Sequence, residues 1–200
     1  MIVGKHMTRN PVVIGPDDYL SSAQEKMRSG DFRLLPVVWD ERLIGIVTDR
    51  DLRQYMGLLE KVKVNAMMTE ILVTISPTDT IEKAAQLMLR HKIGGLPVVE
   101  GNKLVGVVTT SDLLHTFLDV MGASEEGTAR IDFLTGGEEA NLSDASKILQ
   151  EQGADILGLG THRERWDGDS IFYLRLRSAD PNRLAELLKR RGFTILGVHV

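Results

Sequence analysis

The chain has 200 residues, 42% of them hydrophobic, and carries a formal net charge of -4 with no cysteine. That length allows one or two domains with a buried core in each, and the acidic balance gives no basic footprint for nucleic acid. The lack of cysteine excludes disulfide frameworks, thiolate metal sites and cysteine nucleophiles.

The opening residues, MIVGKHMTRNPVVI, place Ile2 and Val3 before Lys5 and lack the continuous apolar stretch of a signal peptide. No run approaches a membrane span. The expectation is a soluble, cytoplasmic chain with no membrane partner. An internal repeat organises the larger part of the chain. Residues 7 to 52 fall on residues 68 to 113 at a constant offset of 61, without a gap. Met7-Thr8 falls on Met68-Thr69, Pro16 on Pro77, Asp18 on Asp79, Ala23 on Ala84 and Met27 on Met88. Leu35-Pro36-Val37-Val38 falls on Leu96-Pro97-Val98-Val99, and Gly45, Thr48 and Asp51 fall on Gly106, Thr109 and Asp112.

Each unit reads as strand, helix, strand, strand, helix. In the first, Leu20, Ala23 and Met27 form a helical stripe, LPVVWDERLIGIVT gives two strands turned at Asp40-Glu41, and a helix runs from Asp51 to about Leu59. In the second, Asp79 and Glu82 form an acidic capping box ahead of the stripe Ile81, Ala84, Ala85 and Met88. LPVVEGNKLVGVVT then turns at Gly101-Asn102, and a helix runs from Asp112 to about Met121. One such unit has two helices for one side of a small sheet and would leave apolar surface bare, so the two are expected to pack together.

The segment SEEGT, residues 124 to 128, reads as a linker. Beyond it, ARIDFLT is a strand and NLSDASKILQEQG a helix with Leu142, Ala145, Ile148 and Leu149 on one side and Gly153 at its stop. ADILGLGTHRER and SIFYLRLR are strands about a turn at Asp167-Gly168. Phe172, Leu174 and Leu176 alternate inward, which puts Arg163, Arg165, Arg175 and Arg177 outward. Asp180-Pro181 opens a last helix, Gly192 ends it, and FTILGVHV is the last strand. The order βαββαβ is ferredoxin-like.

Chemistry concentrates at Thr48-Asp49-Arg50-Asp51 and its counterpart Thr109-Thr110-Ser111-Asp112, each ending a strand and opening a helix. A hydroxyl followed three residues later by a carboxylate is a helix-capping pattern, which by itself explains a helix start. The same position attracts phosphate, and a carboxylate can accept both hydroxyls of a ribose. The two roles can coexist. Elsewhere, no histidines form an i, i+4 helical pair, so no metal site is expected. Gly158-Leu159-Gly160 lacks the helix of a dinucleotide fingerprint, and no serine or acid pair sits in a catalytic frame. Thr135-Gly136-Gly137 could cradle an anion, but Glu138 and Glu139 oppose it.

The MT, LPVV and G-[IV]-V-T-x-x-D-L elements resemble CBS repeats, which pair into a Bateman module, over about 115 of the 200 residues. The remainder resembles an ACT domain, a sensor of small metabolites, although the Asp-x-Pro-Gly-x-Leu element common there is replaced by TGGEEANLSD. A CBS pair followed by an ACT-like domain is similar to the B-type acetoin-utilisation proteins. The fold class expected is α/β (α+β): CBS repeats over 1–61 and 62–122, and a ferredoxin-like ACT-like domain over 128–200.

The resemblance implies a non-catalytic regulator, a likeness that brings a nucleotide (AMP, ADP or ATP) as regulatory ligand and no catalytic cofactor. It also implies a homodimer acting on an effector protein that the sequence does not name. Carried over residue by residue, the aspartate holds ribose while adenine lodges against the first strand and pre-LPVV loop of the opposite repeat. One site then combines Thr48, Arg50 and Asp51 with Thr69, Thr74, Ile93 and Gly94. The other combines Thr109 and Asp112 with Thr8, Val13, Phe32 and Arg33. Arg33, Arg50, His91 and Lys92 are cations positioned to meet phosphates. Gly94-Gly95 admits close ligand approach where Arg33-Leu34 does not, so the sites are expected to differ. The competing readings are a structural dimerisation module with degenerate pockets, and a binder of S-adenosylmethionine or NAD.

Overall fold

The computed structural model describes residues 1–135, 141–163, 170–178 and 180–200, in two compact units covering 1–114 and 115–200. In the first unit the repeated sequence makes repeated structure. Strand β1 is Thr8–Arg9, and helix α1, Leu20–Gly30, buries Leu20, Ala23 and Met27. The strands β2, Leu34–Trp39, and β3, Arg42–Thr48, form a hairpin, and α2, Asp49–Gln54, follows. The second repeat gives α3, Ile81–His91, then the hairpin of β4, Gly95–Glu100, and β5, Lys103–Thr109, and finally α4, Thr110–Val120. Both hairpins close on two-residue turns. Asp40 and Glu41 both take left-handed backbone, φ 49° and 61°, and Gly101 has φ 62°, the signs that such turns need to follow the strand twist.

Three local details differ from the sequence reading. Helix α2 ends at Gln54 and not near Leu59, and Gly57 beyond it has φ 89°, which right-handed helix does not use. Helix α3 is capped by Thr80, whose side chain accepts from the Lys83 N–H at 3.2 Å. Asp79 instead accepts from the Ser76 N–H and from Lys83 Nζ, which hold its carboxyl below its ordinary pKa. The first strand of each repeat is broken into short bridges. Asn10, at φ 48°, and Pro11 interrupt it in repeat 1.

That interruption lets each leading segment cross to the other repeat. Val3 and Gly4 donate their N–H groups to the carbonyls of Asp79 and Pro77, and Val3 is fully buried with Ile75, Met88 and Leu96. Its repeat counterpart Val64 donates to the carbonyl of Asp18 and is fully buried with Ile14, Leu20 and Leu35. Each repeat's core is therefore completed by a valine from the other. Thr8 pairs with Val107 of β5, and Thr69 pairs with Ile46 of β3. In the same exchange Met7 packs on Gly106 and Met68 on Gly45, where an added Cβ would lie 2.6 Å from the methionine sulfur in both cases.

The second unit contains β6, Thr128–Leu134; α5, Leu142–Glu151; β7, Asp155–Arg163; β8, Ser170–Arg177; α6, Pro181–Arg190; and β9, Thr194–His199. Its sheet order, β7-β8-β6-β9, is the ferredoxin-like order. Asn141 and Asp144 form the capping box of α5, and Asp180 with Pro181 opens α6. Both helices pack on one sheet face, where Ile131, Phe133, Leu174 and Leu176 meet Leu149, Leu184 and Leu188. The glycines of the G-x-G sit in β7 for steric reasons: a Cβ on Gly158 would lie 2.5 Å from the Met121 carbonyl oxygen, and one on Gly160 would lie 2.4 Å from the Tyr173 ring. The sequence motifs at Gly136-Gly137, Glu138-Glu139, Arg165 and Asp167-Gly168 lie outside the described residues.

Candidate functional site

Both Thr-x-x-Asp segments fold as the capping pattern requires. Thr48 caps α2; its backbone N–H and its hydroxyl both donate to Asp51 Oδ2, at 2.9 and 2.6 Å. Thr109 does the same with Asp112 Oδ2 at the start of α4, at 2.7 Å for both bonds. The return bonds, from the Asp51 and Asp112 N–H groups to the threonine hydroxyls, are long at 3.4 Å. Each carboxylate thus spends one oxygen on the cap. No described bond uses Oδ1 of either aspartate, and both residues are half-buried.

The exchanged leading segments bring Thr69 and Thr8 alongside the strands that end in Thr48 and Thr109. Thr69 exchanges two backbone bonds with Ile46, two residues before Thr48 on β3, at 2.9 and 3.0 Å. Thr8 lies against Val107, two residues before Thr109 on β5. Strand alternation puts positions two apart on one face. Thr74 is half-buried and precedes Ile75, which bridges Val98 of β4, and Val13 precedes Ile14, which bridges Val37 of β2. The Val13 carbonyl accepts from Lys26 Nζ at 2.8 Å.

The pre-LPVV loops are tied first to their own repeats. The Arg33 carbonyl accepts from the Asp49 N–H at 3.1 Å, and the Gly94 carbonyl accepts from the Thr110 N–H at 3.0 Å. They also meet each other, since a Cβ on Gly95 would lie 3.5 Å from Leu34 Cδ1. Gly94 is exposed and open, with Thr110 Oγ1 as its nearest neighbour at 3.9 Å from a Cβ position. Phe32 packs into the core of repeat 1 over Gly30 and lines a groove of about 330 Å³ between α1 and α2 with Asp49, Leu52 and Met56. Ile93 packs against the core of repeat 2. Arg33, Arg50, His91 and Lys92 are all exposed; Lys92 ends α3 in left-handed backbone at φ 55°. The contact that the motif reading did not supply is Leu34 against Gly95. Its signal was the mismatch between those two aligned positions.

The sequence model of the CBS domain matches residues 3–58 and again residues 64–119, together more than half of the chain. The chain belongs to the CBS-domain family. Its two CBS repeats are similar in structure to a candidate acetoin utilization protein (AcuB) from Vibrio cholerae, at 31% identity and TM-score 0.57, over 63% of this chain and 96% of that one. They are similar also to CBSX2, solved in complex with AMP, at 30% identity and TM-score 0.53, over 58% of this chain and 96% of that one. Among curated proteins, the inosine-5'-monophosphate dehydrogenase of Korarchaeum cryptofilum is 34% identical over 125 residues, covering 62% of this chain and 26% of that enzyme. The chain spans about a quarter to a half of the length of the curated relatives it matches. Among the described residues no group of three or more His, Asp or Glu could hold a metal ion, and no helix is long and apolar enough to cross a membrane.

Proposed function

We propose that this CBS pair is a non-catalytic sensor that binds an adenine nucleotide between its repeats. The observation that carries the reading is the division of labour in Asp51 and Asp112: Oδ2 holds the helix cap, and Oδ1 is left to accept ribose hydroxyls. The cap also fixes the carboxylate in place before ligand arrives, which lowers the ordering cost of binding. One site takes Thr48, Arg50 and Asp51 with Thr69, Thr74, Ile93 and Gly94, and the other takes Thr109 and Asp112 with Thr8, Val13, Phe32 and Arg33. The AMP complex of a CBS-pair relative at 30% identity supports an adenine ligand. Capping consumes the hydroxyl protons of Thr48 and Thr109, which suits a holding role better than a nucleophilic one.

The reading extends to the whole chain. We take residues 1–61 and 62–122 as the CBS repeats and 128–200 as an ACT-like domain that passes nucleotide occupancy to a partner protein, in the manner of B-type acetoin-utilisation proteins. Occupancy acts through the ligand's differential affinity for two arrangements of the chain. The protein works in the cytoplasm as a homodimer, whose apolar contact draws on exposed Met56, Leu89 and Leu114.

A thermal-shift screen of the intact chain with AMP, ADP, ATP, S-adenosylmethionine and NAD tests the sensor. A ligand at 100 times its Kd should stabilise by about 2.7 kcal/mol. No shift with any of the five would leave a structural dimerisation module in its place. Light scattering should give twice the monomer mass, and a monomer would remove the dimer from the proposal.

A further inference from the structure

The ferredoxin-like unit spends one sheet face on its core, where Ile131 and Leu174 meet α5 and α6. The alternate residues of β6, β8 and β9 therefore stand on the helix-free face. Direct cross-strand pairing sets Arg175 opposite Arg130, and Arg130 opposite His199. Three basic side chains thus stand in one row across three strands, an unfavourable juxtaposition unless it is compensated. These are not freely solvated groups. The Arg130 and Asp132 side chains are 22% and 15% exposed.

Asp132, one step along the same face, compensates part of the row. Its Oδ1 accepts from Arg130 Nε at 2.6 Å, and its Oδ2 lies 3.3 Å from His199 Nε2. Arg130 also lies over the Tyr173 ring, 4.5 Å from its centroid. Both oxygens of Asp132 are then committed. Arg177, next along β8, is answered by Glu125 and by Asp155. Arg175 has no carboxylate among the described residues. It donates through Nη1 to the neutral Thr128 Oγ1 at 3.0 Å, and its buried Nε meets no acceptor among the described residues. Sequence alternation placed this arginine outward, and the structure half-buries it there with a donor unused.

We propose that the helix-free face of this sheet binds a small oxyanion, a carboxylate or a phosphate, between Arg175 and Arg130. A guanidinium presents paired donors that match either oxyanion. Nη2 of Arg175 and both Nη groups of Arg130 carry no described hydrogen bond. With two arginines against one aspartate, the cluster keeps one uncompensated positive charge for the ligand to neutralise. The inference is independent of the nucleotide reading, since it uses none of the CBS residues.

The test uses the intact ¹⁵N-labelled chain and follows arginine Nε–H resonances by NMR. Sodium phosphate and sodium succinate are titrated separately at constant ionic strength, with chloride as the reference salt. The expected result is a saturable shift of the Arg175 and Arg130 resonances with one or both anions, at a Kd on the order of 1 mM or tighter. Arg175→Gln should weaken it at least roughly tenfold, Arg175→Lys should weaken it through loss of the paired donors, and Lys189→Gln, which removes an exposed positive charge from α6 on the other side of the sheet, should leave it unchanged. A response to phosphate alone, or to succinate alone, assigns the ligand class. Shifts that track ionic strength and match those of chloride, or full binding retained in Arg175→Gln, would overturn the site. If Arg175→Gln does not fold, Arg130→Gln is read in the same way.

Discussion

Replacing Asp112 by asparagine separates the two duties of this carboxylate. Asparagine keeps one carbonyl oxygen, which can occupy the place of Oδ2 and accept both Thr109 bonds, now at 2.7 Å. The group facing the ligand becomes an amide that donates where the carboxylate accepted. For folding, two bonds lose their charge assistance and the start of α4 loses a negative charge, about 1 to 2 kcal/mol in all. For binding, the ribose hydroxyls lose a charged acceptor, about 1.5 to 3 kcal/mol, or roughly tenfold to a hundredfold in Kd. Calorimetry with the best nucleotide from the screen, paired with a urea titration, reads both quantities on one variant. Asp51→Asn gives the same measurement at the other site. If Asp51→Asn, Asp112→Asn and the double variant all bind as tightly as the parent, the open oxygen is not a ribose anchor and the assignment is refuted.

Val64→Ala removes methyl groups from a fully buried side chain, at about 1.5 to 3 kcal/mol. Because Val64 sits in the core of repeat 1, hydrogen exchange should speed up most in α1 and β2; loss of protection confined to α3 and β4 would contradict the exchange. Gly106→Ala should destabilise by about 1 to 3 kcal/mol, since its Cβ would lie 2.9 Å from the Thr8 carbonyl oxygen as well as against Met7. A denaturant midpoint equal to the parent's would show that β1 gives way freely. Asp79 has a folded-state pKa below its ordinary value, caused first by Lys83 and then by the Ser76 N–H. Its contribution is present above the ordinary carboxylate range and is lost as pH falls through the lowered pKa. The parent should therefore be more stable than Asp79→Asn at pH 7, with the gap closing in acid; a gap independent of pH would exclude this linkage.

Much of the fold was legible because its signals are local. Periodicity located the helical stripes at Leu20, Ala23 and Met27 and at Ile81, Ala84, Ala85 and Met88, and all of these are buried except Ala85, which is half-buried. Alternation located Leu174 and Leu176, and the Thr-x-x-Asp spacing located both caps. The ferredoxin-like order followed from counting elements. Helix ends were less legible. The choice between Asp79 and Thr80 as cap depends on which side chain a nearby lysine and a turn N–H engage, and spacing does not encode that.

What the tertiary structure alone decided was which repeat owns which segment. The sequence marks Val3 and Val64 as apolar and Met7 and Met68 as repeated, but an apolar residue is equally satisfied by any core of the right shape. Only the folded chain shows that the valines are exchanged and that the methionines lie on Gly106 and Gly45 of the opposite repeat. The helix-free face of the second unit gives the same lesson for charge. Alternation fixes that Arg175 points away from the core, a property of the strand itself. Its burial, its pairing with Arg130 and its unused Nε depend on neighbours from other strands, because electrostatic cost is set by distance and solvent access, which a linear sequence does not contain.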